Sequence, residues 1–177
     1  MRNGVDVAII AGSGSDLPVI NETVKTLKEF GLSYSINIAS AHRTTEHLKQ
    51  CVKDAENAGA KVFIAGAGMA AALPGVIAAE TVLPVIGVPM EGKNLAGMDA
   101  LFAIVQMPKG VPVGCVALGK AGAVNAAVLA AQIISLSDGA LKEKLAAYKQ
   151  KQAQSVVKED LKLREKGIEK YIEDMKK

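Results

Sequence analysis

The feature that most constrains the fold is one pattern that recurs along the chain: an apolar run, a small or polar turn, then a helix-like segment. The apolar runs are typical of strands and lie at residues 6–10, 33–39, 62–65, 84–88 and 111–118. Helix-like segments follow them, one closing at Gly31, one at residues 45–57, one ending near Thr81, and two at residues 98–105 and 121–135. Repeated strand–helix units with short links predict an α/β domain, in which a parallel sheet carries helices on both faces.

Chain length and composition agree with that architecture. The 177 residues suffice for one domain with a substantial core but not for two comfortable ones. Half of the residues are apolar, which suits buried parallel strands. The formal net charge of +3 is concentrated in the tail, so the body is nearly neutral. We therefore predict an α/β domain at residues 1–137 and a C-terminal helical extension at residues 138–177.

Several classes of function are poorly supported. Three Tyr, three Phe and no Trp offer no platform for stacking bases, so we expect no nucleic-acid partner. Cys51 and Cys115 lack redox or metal spacing and are expected to be small core residues. The N-terminus lacks the order of a signal peptide, and Asn125 and Gln132 interrupt the most apolar stretch. We therefore expect a soluble cytoplasmic protein with no membrane association.

Residues 36–44 end the second predicted strand and place versatile side chains directly after it. In an open α/β sheet, ligands bind beyond the carboxyl ends of the strands. There, Arg43 is suited to hold an anion in its planar fork, and His42 to move a proton near neutral pH. Ser40 precedes them, and the other histidine, His47, is expected to face water on the next helix. The alternative is a plain polar strand-to-helix turn.

A glycine and serine turn, residues 12–16, follows the first predicted strand and precedes a helix. The free N–H groups and the positive end of that helix favour an anion, and Ser13 and Ser15 add hydroxyl donors. A phosphate would repel Asp16, so Asp16 should cap the helix or accept hydrogen bonds from sugar hydroxyls. The alternative is an ordinary helix cap. The turn does not match the P-loop of ATPases.

A second glycine-rich loop, residues 66–75, follows the third predicted strand at the same edge of the sheet. Its small residues and backbone groups are suited to form a wall against a flat ligand. The candidate contacts are Gly66, Ala67, Gly68, Ala70 and Leu73. The alternative is that these residues only allow tight packing of helix on sheet. Together, the three loops predict a site for a phosphorylated, sugar-bearing small molecule.

The tail after Gly139 is charged and helix-prone, and apolar residues punctuate it. These apolar residues are too many to leave in water and too sparse for a second core. They are Leu141, Leu145, Tyr148, Leu161, Ile168, Tyr171, Ile172 and Met175. Two interpretations stay open: helices packed on their own domain, or an arm that packs on a neighbouring subunit.

Several ordered motifs resemble those of one known family. They include the turn at residues 12–16, Ser-Ala-His-Arg-Thr at residues 40–44, and Ala-Gly-Ala-Gly with Leu-Pro-Gly in the second loop. Leu-Pro-Val-Ile-Gly-Val-Pro at residues 83–89 and the Gln-Met-Pro and Asn-Ala-Ala stretches further on also match. Over roughly residues 5–137, the chain is similar to N5-carboxyaminoimidazole ribonucleotide mutase, the catalytic subunit of phosphoribosylaminoimidazole carboxylase in purine synthesis.

The resemblance implies a three-layer flavodoxin-like fold and a homo-octamer with active sites between subunits. It implies carboxylate transfer from the exocyclic nitrogen of an aminoimidazole ribonucleotide to ring carbon C4, without metal or organic cofactor. It also implies that His42 is the general acid and base and that Asp16 meets the ribose. The residues on the phosphate side would be Ser13, Ser15, Ser40 and Arg43.

One loop departs from the mutase pattern, which usually reads Gly-Gly-Ala-Ala-His-Leu-Pro-Gly. Met69 replaces a glycine of that pattern, and Ala72 replaces a second active-site histidine. Related carboxylases, which use free CO2 and the unmodified ribonucleotide, usually carry Ser-Ala-His-Lys, so Arg43 keeps this chain nearer to the mutases. The expected function is the mutase. The CO2-using carboxylase is the second interpretation, and a non-catalytic nucleotide- or flavin-binding module is the third.

Overall fold

The computed structural model describes residues 4–175 and alternates strand and helix through most of its length. The strands are β1 (Val7–Ala11), β2 (Tyr34–Ile38), β3 (Val62–Ala67), β4 (Val85–Pro89) and β5 (Gly114–Cys115). The helices are α1 (Leu17–Phe30), α2 (Thr45–Asn57), α3 (Leu73–Glu80), α4 (Met98–Val105), α5 (Gly119–Ser135), α6 (Gly139–Lys166) and α7 (Ile168–Met175). A 3-10 turn, Gly14–Asp16, leads directly into α1.

All strand pairs are parallel, and the strands lie in the order β2-β1-β3-β4-β5. This is the flavodoxin-like order, in which the chain reverses its direction of winding between β1 and β3. Every residue of β1, β3 and β4 is buried, because helices cover both faces of the centre of the sheet. The edge strand β2 is more open: Ile36 and Ile38 are 43% and 49% exposed.

Two apolar layers hold the helices on the sheet. One layer joins α1, α5 and the start of α6 to one face, and the other joins α2, α3 and α4 to the opposite face. Within the first layer, α1 and α5 pack closely enough for the buried Thr23 hydroxyl to donate to the carbonyl of Ala123 over 2.8 Å. That contact satisfies a polar group that would otherwise destabilise the core. The expectation of a three-layer α/β fold is therefore confirmed.

The predicted bounds of β1, β2 and β4 are within one residue of the observed ones, whereas those of β3 and β5 were wrong by more. β3 continues through Ala67, because Gly66 and Ala67 still pair with Val88 and Pro89 of β4. β5 occupies only two residues of the predicted range 111–118. Pro112 has no N–H to donate to a ladder, which keeps the start of the run out of the sheet, and residues 116–118 lead into α5 at Gly119.

The tail divides into a packed base and an exposed remainder. Leu141 and Leu145 are 3% and 6% exposed and join the core beside α1 and α5. Lys144 donates to the carbonyl of Phe30 over 2.8 Å, and the rings of Phe30 and Tyr148 lie 5.2 Å apart. The first interpretation, packing on the same domain, therefore applies to the base of α6.

Beyond residue 150, nearly every residue of α6 and α7 is exposed. The exposed apolar side chains there are Val156, Val157, Leu161, Leu163, Ile168, Ile172 and Met175. Packing of this outer part on a neighbouring subunit stays a prediction. Among the described residues, no helix combines the length and apolar character needed to cross a membrane.

Candidate active site

The carboxyl ends of four adjacent strands open into one cleft of about 670 Å³. Its lining comes from the loop after each strand: Gly12, Ser13, Ser15 and Asp16 after β1, residues 40–43 after β2, residues 67–73 after β3 and residues 90–93 after β4. The structure thus brings together every predicted site residue but one. Gly66 is buried in β3 and does not line the cleft, although its carbonyl accepts a hydrogen bond from the Gly12 N–H over 2.9 Å.

The turn after β1 is held by its own serines. The Ser13 hydroxyl accepts from the Ser15 N–H over 3.3 Å and from the Ser15 hydroxyl over 2.9 Å. The helix-cap interpretation therefore holds for Ser13, which caps the 3-10 turn. It fails for Asp16, which precedes α1 but makes no side-chain cap bond. Asp16 is left with its carboxylate beside the cleft.

The electrostatic state of Asp16 reflects that position. Burial raises the pKa of its carboxyl above the ordinary value, because a charged carboxylate loses hydration there. Hydrogen bonds from the Ser13 backbone and the Ser15 side chain oppose this shift without cancelling it. A ligand hydroxyl that donates to Asp16 would replace hydrogen bonds with water that the carboxylate loses on burial.

The turn after β2 presents His42 and Arg43 from a fixed backbone. The Thr44 hydroxyl accepts from the Ser40 N–H over 2.8 Å, and the Thr44 N–H donates to the Ser40 carbonyl over 3.0 Å. Arg43 Nε donates to the Ser40 hydroxyl over 3.3 Å, and no carboxylate of residues 4–175 forms an ion pair with its guanidinium. His42 is exposed and its ring makes no hydrogen bond within this part of the chain.

His47 has a different environment. It is exposed on α2, where its Nε2 atom lies 3.6 Å from the Sγ atom of Cys51, and it does not line the cleft. The expectation that His47 faces water is confirmed. Of the two histidines, only His42 can reach a molecule bound in the cleft.

The loop after β3 is tightly wound. The Ala71 N–H donates to the carbonyl of Met69 over 2.9 Å, and the Ala72 N–H donates to the carbonyl of Ala70 over 2.6 Å. Met69 has φ of +57°, in the left-handed region. The packing interpretation of this loop holds for Gly66, since a Cβ atom there would lie 2.5 Å from Met90 Cε. It also holds for Gly75, where a Cβ atom would lie 3.2 Å from Met107 Cε, whereas residues 67–73 line the cleft, as the binding interpretation requires.

The sequence prediction missed the fourth wall, residues 90–93. Lys93 is exposed and adds a second cation to the cleft. Glu91 extends towards the start of α5, where a Cβ on Gly119 would lie 2.7 Å from its Oε1 atom. The only available signal was topological: this loop follows β4, which lies beside β3.

The cleft combines chemically distinct walls. Arg43, Lys93 and the serine hydroxyls offer donors for an anion, and Asp16 offers an acceptor for hydroxyl groups. The wall after β3 is made of alanines, Gly68, Met69 and Leu73. This set of groups suits a ligand that carries an anionic group, hydroxyl groups and a flat apolar part. Within residues 4–175, no cluster of three or more His, Cys, Asp or Glu side chains could hold a metal ion.

Comparison with known proteins gives consistent results. The family model for AIR carboxylase matches residues 6–155. N5-carboxyaminoimidazole ribonucleotide mutase of Pyrococcus horikoshii is 49% identical over 168 residues, covering 95% of this chain and 94% of that protein. The mutase of Brucella melitensis is 52% identical over 152 residues, covering 86% of this chain and 94% of that protein.

A solved structure extends the similarity to three dimensions. The crystal structure of Treponema denticola PurE superimposes with a TM-score of 0.81 at 34% identity, covering 89% of this chain and 97% of that chain. Fold, loop motifs and sequence identity over most of the length all agree. The chain therefore belongs to the AIR carboxylase family.

Proposed function

We propose that this chain is an N5-carboxyaminoimidazole ribonucleotide mutase of purine biosynthesis. The observation that carries the proposal is the position of His42, an exposed imidazole without a partner among the described residues, on the wall of a cleft that also holds Arg43 and the serine turn. The family match and the names of the similar proteins support the same activity.

The walls of the cleft correspond to the parts of such a substrate. Ser13, Ser15, Ser40 and Arg43 hold the phosphate through hydroxyl and guanidinium donors. Asp16 accepts hydrogen bonds from the ribose hydroxyls, which offsets the free energy that burial of its charge requires. Ala67, Gly68, Ala70 and Leu73 lie against the aminoimidazole ring.

The reaction needs one group that both gives and takes a proton. His42 protonates the carbamate nitrogen as the N–C bond breaks, and this releases CO2 and the free amine. The electron-rich ring carbon C4 attacks the trapped CO2 and forms the new C–C bond. The C4 proton then passes to His42, so the imidazole regains what it gave and no proton is exchanged with solvent overall.

The assembly and cellular location are part of the same proposal. The exposed apolar side chains of α6 and α7 beyond residue 150 pack on a neighbouring subunit in a homo-oligomer, for which the family resemblance implies an octamer. We place the enzyme in the cytoplasm, where purine synthesis takes place. No cofactor enters the proposed chemistry, since one imidazole completes the proton transfers.

The decisive experiment compares two single substitutions. His42→Asn keeps a similar size but cannot shuttle a proton, so turnover of N5-carboxyaminoimidazole ribonucleotide should fall by about 10² to 10⁴. Ligand affinity should change much less, because the phosphate and ribose contacts remain. His47→Asn is the matched control and should leave turnover unchanged. A His42→Asn enzyme that turns over within a few-fold of the parent would contradict the mechanism.

A second candidate function has one observation in its favour. Met69 and Ala72 make the loop after β3 unlike the usual mutase pattern, and both line the cleft. A carboxylase that joins free CO2 to the unmodified ribonucleotide would use the same C4 attack without the first step. Turnover assays with each ribonucleotide, with and without bicarbonate, distinguish the two. A mutase converts the N5-carboxylated substrate without bicarbonate.

A further inference from the structure

Met69 stands out as a side chain in an unfavourable backbone conformation. Its φ is +57°, and among the described residues other than glycine only Ala96 shares a positive φ. An L-residue in this region brings Cβ close to its own backbone, which glycine avoids. A long side chain at this position therefore lowers stability unless something compensates for it.

The compensation does not come from the core. Met69 is 70% exposed, whereas Ala71 and Leu73, in the same loop, are 3% and 2% exposed. Gly68 lies against Met90, since a Cβ there would be 3.4 Å from Met90 Cβ. The neighbours on both sides thus fix the loop to the protein, while the Met69 side chain stays in solvent at the cleft.

Met69 is also chemically distinct from its surroundings. The other large apolar residues that line the cleft, Leu73 and Met90, are buried. Of these three side chains, Met69 therefore has by far the most surface left for a bound molecule to cover. A thioether cannot compete with Arg43 for a phosphate, but it makes favourable contacts with aromatic rings.

We propose that Met69 is a specificity-determining residue that covers the flat heteroaromatic ring of the bound ribonucleotide. The proposal rests on the proposed function and extends it by assigning ring recognition to a side chain. Strain at residue 69 is retained because the left-handed turn holds the thioether over the cleft, where it contacts the ring and not the phosphate or ribose.

Two substitutions separate the side chain from the strain. Met69→Ala removes the thioether and keeps the Cβ atom, whereas Met69→Gly removes both. Each should weaken the binding of 4-carboxy-5-aminoimidazole ribonucleotide by about two- to tenfold, the range of a sulfur–aromatic contact. Only Met69→Gly should also raise the melting temperature of the ligand-free protein, by about 1 to 4 °C.

Calorimetry with a second ligand gives the control. Ribose 5-phosphate carries the phosphate and sugar but no ring, so both variants should bind it like the parent. Unchanged affinity of the variants for the ring-bearing ligand, or an equal loss for both ligands, would overturn the assignment. If the parent itself fails to bind the ring-bearing ligand, the proposed function is wrong as well. If the parent binds it and the variants bind it equally well, only the role of Met69 is wrong.

Discussion

Replacement of Gly66 by alanine tests which glycines of the second loop serve packing. Gly66 is buried in β3, and an added Cβ would lie 2.5 Å from Met90 Cε and 2.7 Å from Ile20 Cδ1. Real Cβ atoms do not approach other atoms so closely, so one or both side chains must move. Ile20 is fully buried and has little room to move, whereas Met90, although 4% exposed, lines the cleft and can shift towards it.

The magnitude follows from these contacts. Inserting a methyl group into a packed core typically costs about 1–3 kcal/mol. Removing a glycine from a strand returns roughly 0.5–1 kcal/mol, because the unfolded chain loses conformational freedom. We therefore expect Gly66→Ala to lower the free energy of unfolding by about 1 kcal/mol, and by at most about 2.5 kcal/mol. Met90 also lines the cleft, so its displacement should weaken ribonucleotide binding as well.

Urea unfolding of three alanine variants, followed by circular dichroism, provides a graded test. Gly68→Ala introduces an ordinary 3.4 Å contact with Met90 Cβ, and Gly92→Ala meets nothing within 4 Å although it lines the same cleft. Gly92→Ala should stay within about 0.5 kcal/mol of the parent, with Gly68→Ala between the two. Equal stabilities for Gly66→Ala and Gly92→Ala would refute the packing argument.

Four further predictions concern charge and assembly. Arg43→Met should weaken ribonucleotide binding by about 1.5–3 kcal/mol in calorimetry, the scale of a charge-assisted hydrogen bond. The pKa of Asp6 is lowered in the fold, so its ionised carboxylate should stabilise the protein above about pH 4. That stabilisation should disappear as the pH falls through the folded pKa. The urea midpoint of Asp6→Asn should therefore depend less on pH in this range than that of the parent. Asp16→Asn should weaken ribonucleotide binding yet leave the melting temperature at pH 7 at or above that of the parent, since the raised pKa makes ionisation unfavourable in the fold. Truncation after Gln150 should lower the assembly state in light scattering with little loss of secondary structure, whereas truncation after Ser137 should also destabilise the domain.

Most of the fold could be predicted from the sequence because its signals are local. The runs that became β1, β3 and β4 are apolar throughout and lie between helices, so their burial follows from composition alone. The length of β5 is set by how many of its residues pair with β4, and the apolar pattern of residues 111–118 does not predict that number. The division of α6 near residue 150 likewise depends on where α1 and α5 end in space.

The part of the candidate site that could be predicted consists of residues whose side chains have a characteristic chemistry. His42, Arg43 and the serine turn follow strands directly, and the parallel topology places them at one edge. The fourth wall was missed because Glu-Gly-Lys-Asn at residues 91–94 is typical of any solvated turn. The backbone of Met69 could not be foreseen either, since Met followed by three alanines favours a helix by propensity.

Two carboxylates near the ends of β1, Asp6 and Asp16, differ in how completely the fold satisfies them. Although burial opposes ionisation of Asp6, hydrogen bonds from Ser33 and Lys61 outweigh it, and the pKa of Asp6 lies below its ordinary value. Asp6 thereby ties the starts of three strands together. Asp16, after the same strand, is incompletely satisfied by the fold, and its pKa is raised. A charge that the fold satisfies has little left to offer a ligand, whereas Asp16 keeps unmet hydrogen-bonding capacity, which the proposed contact with the ribose would use.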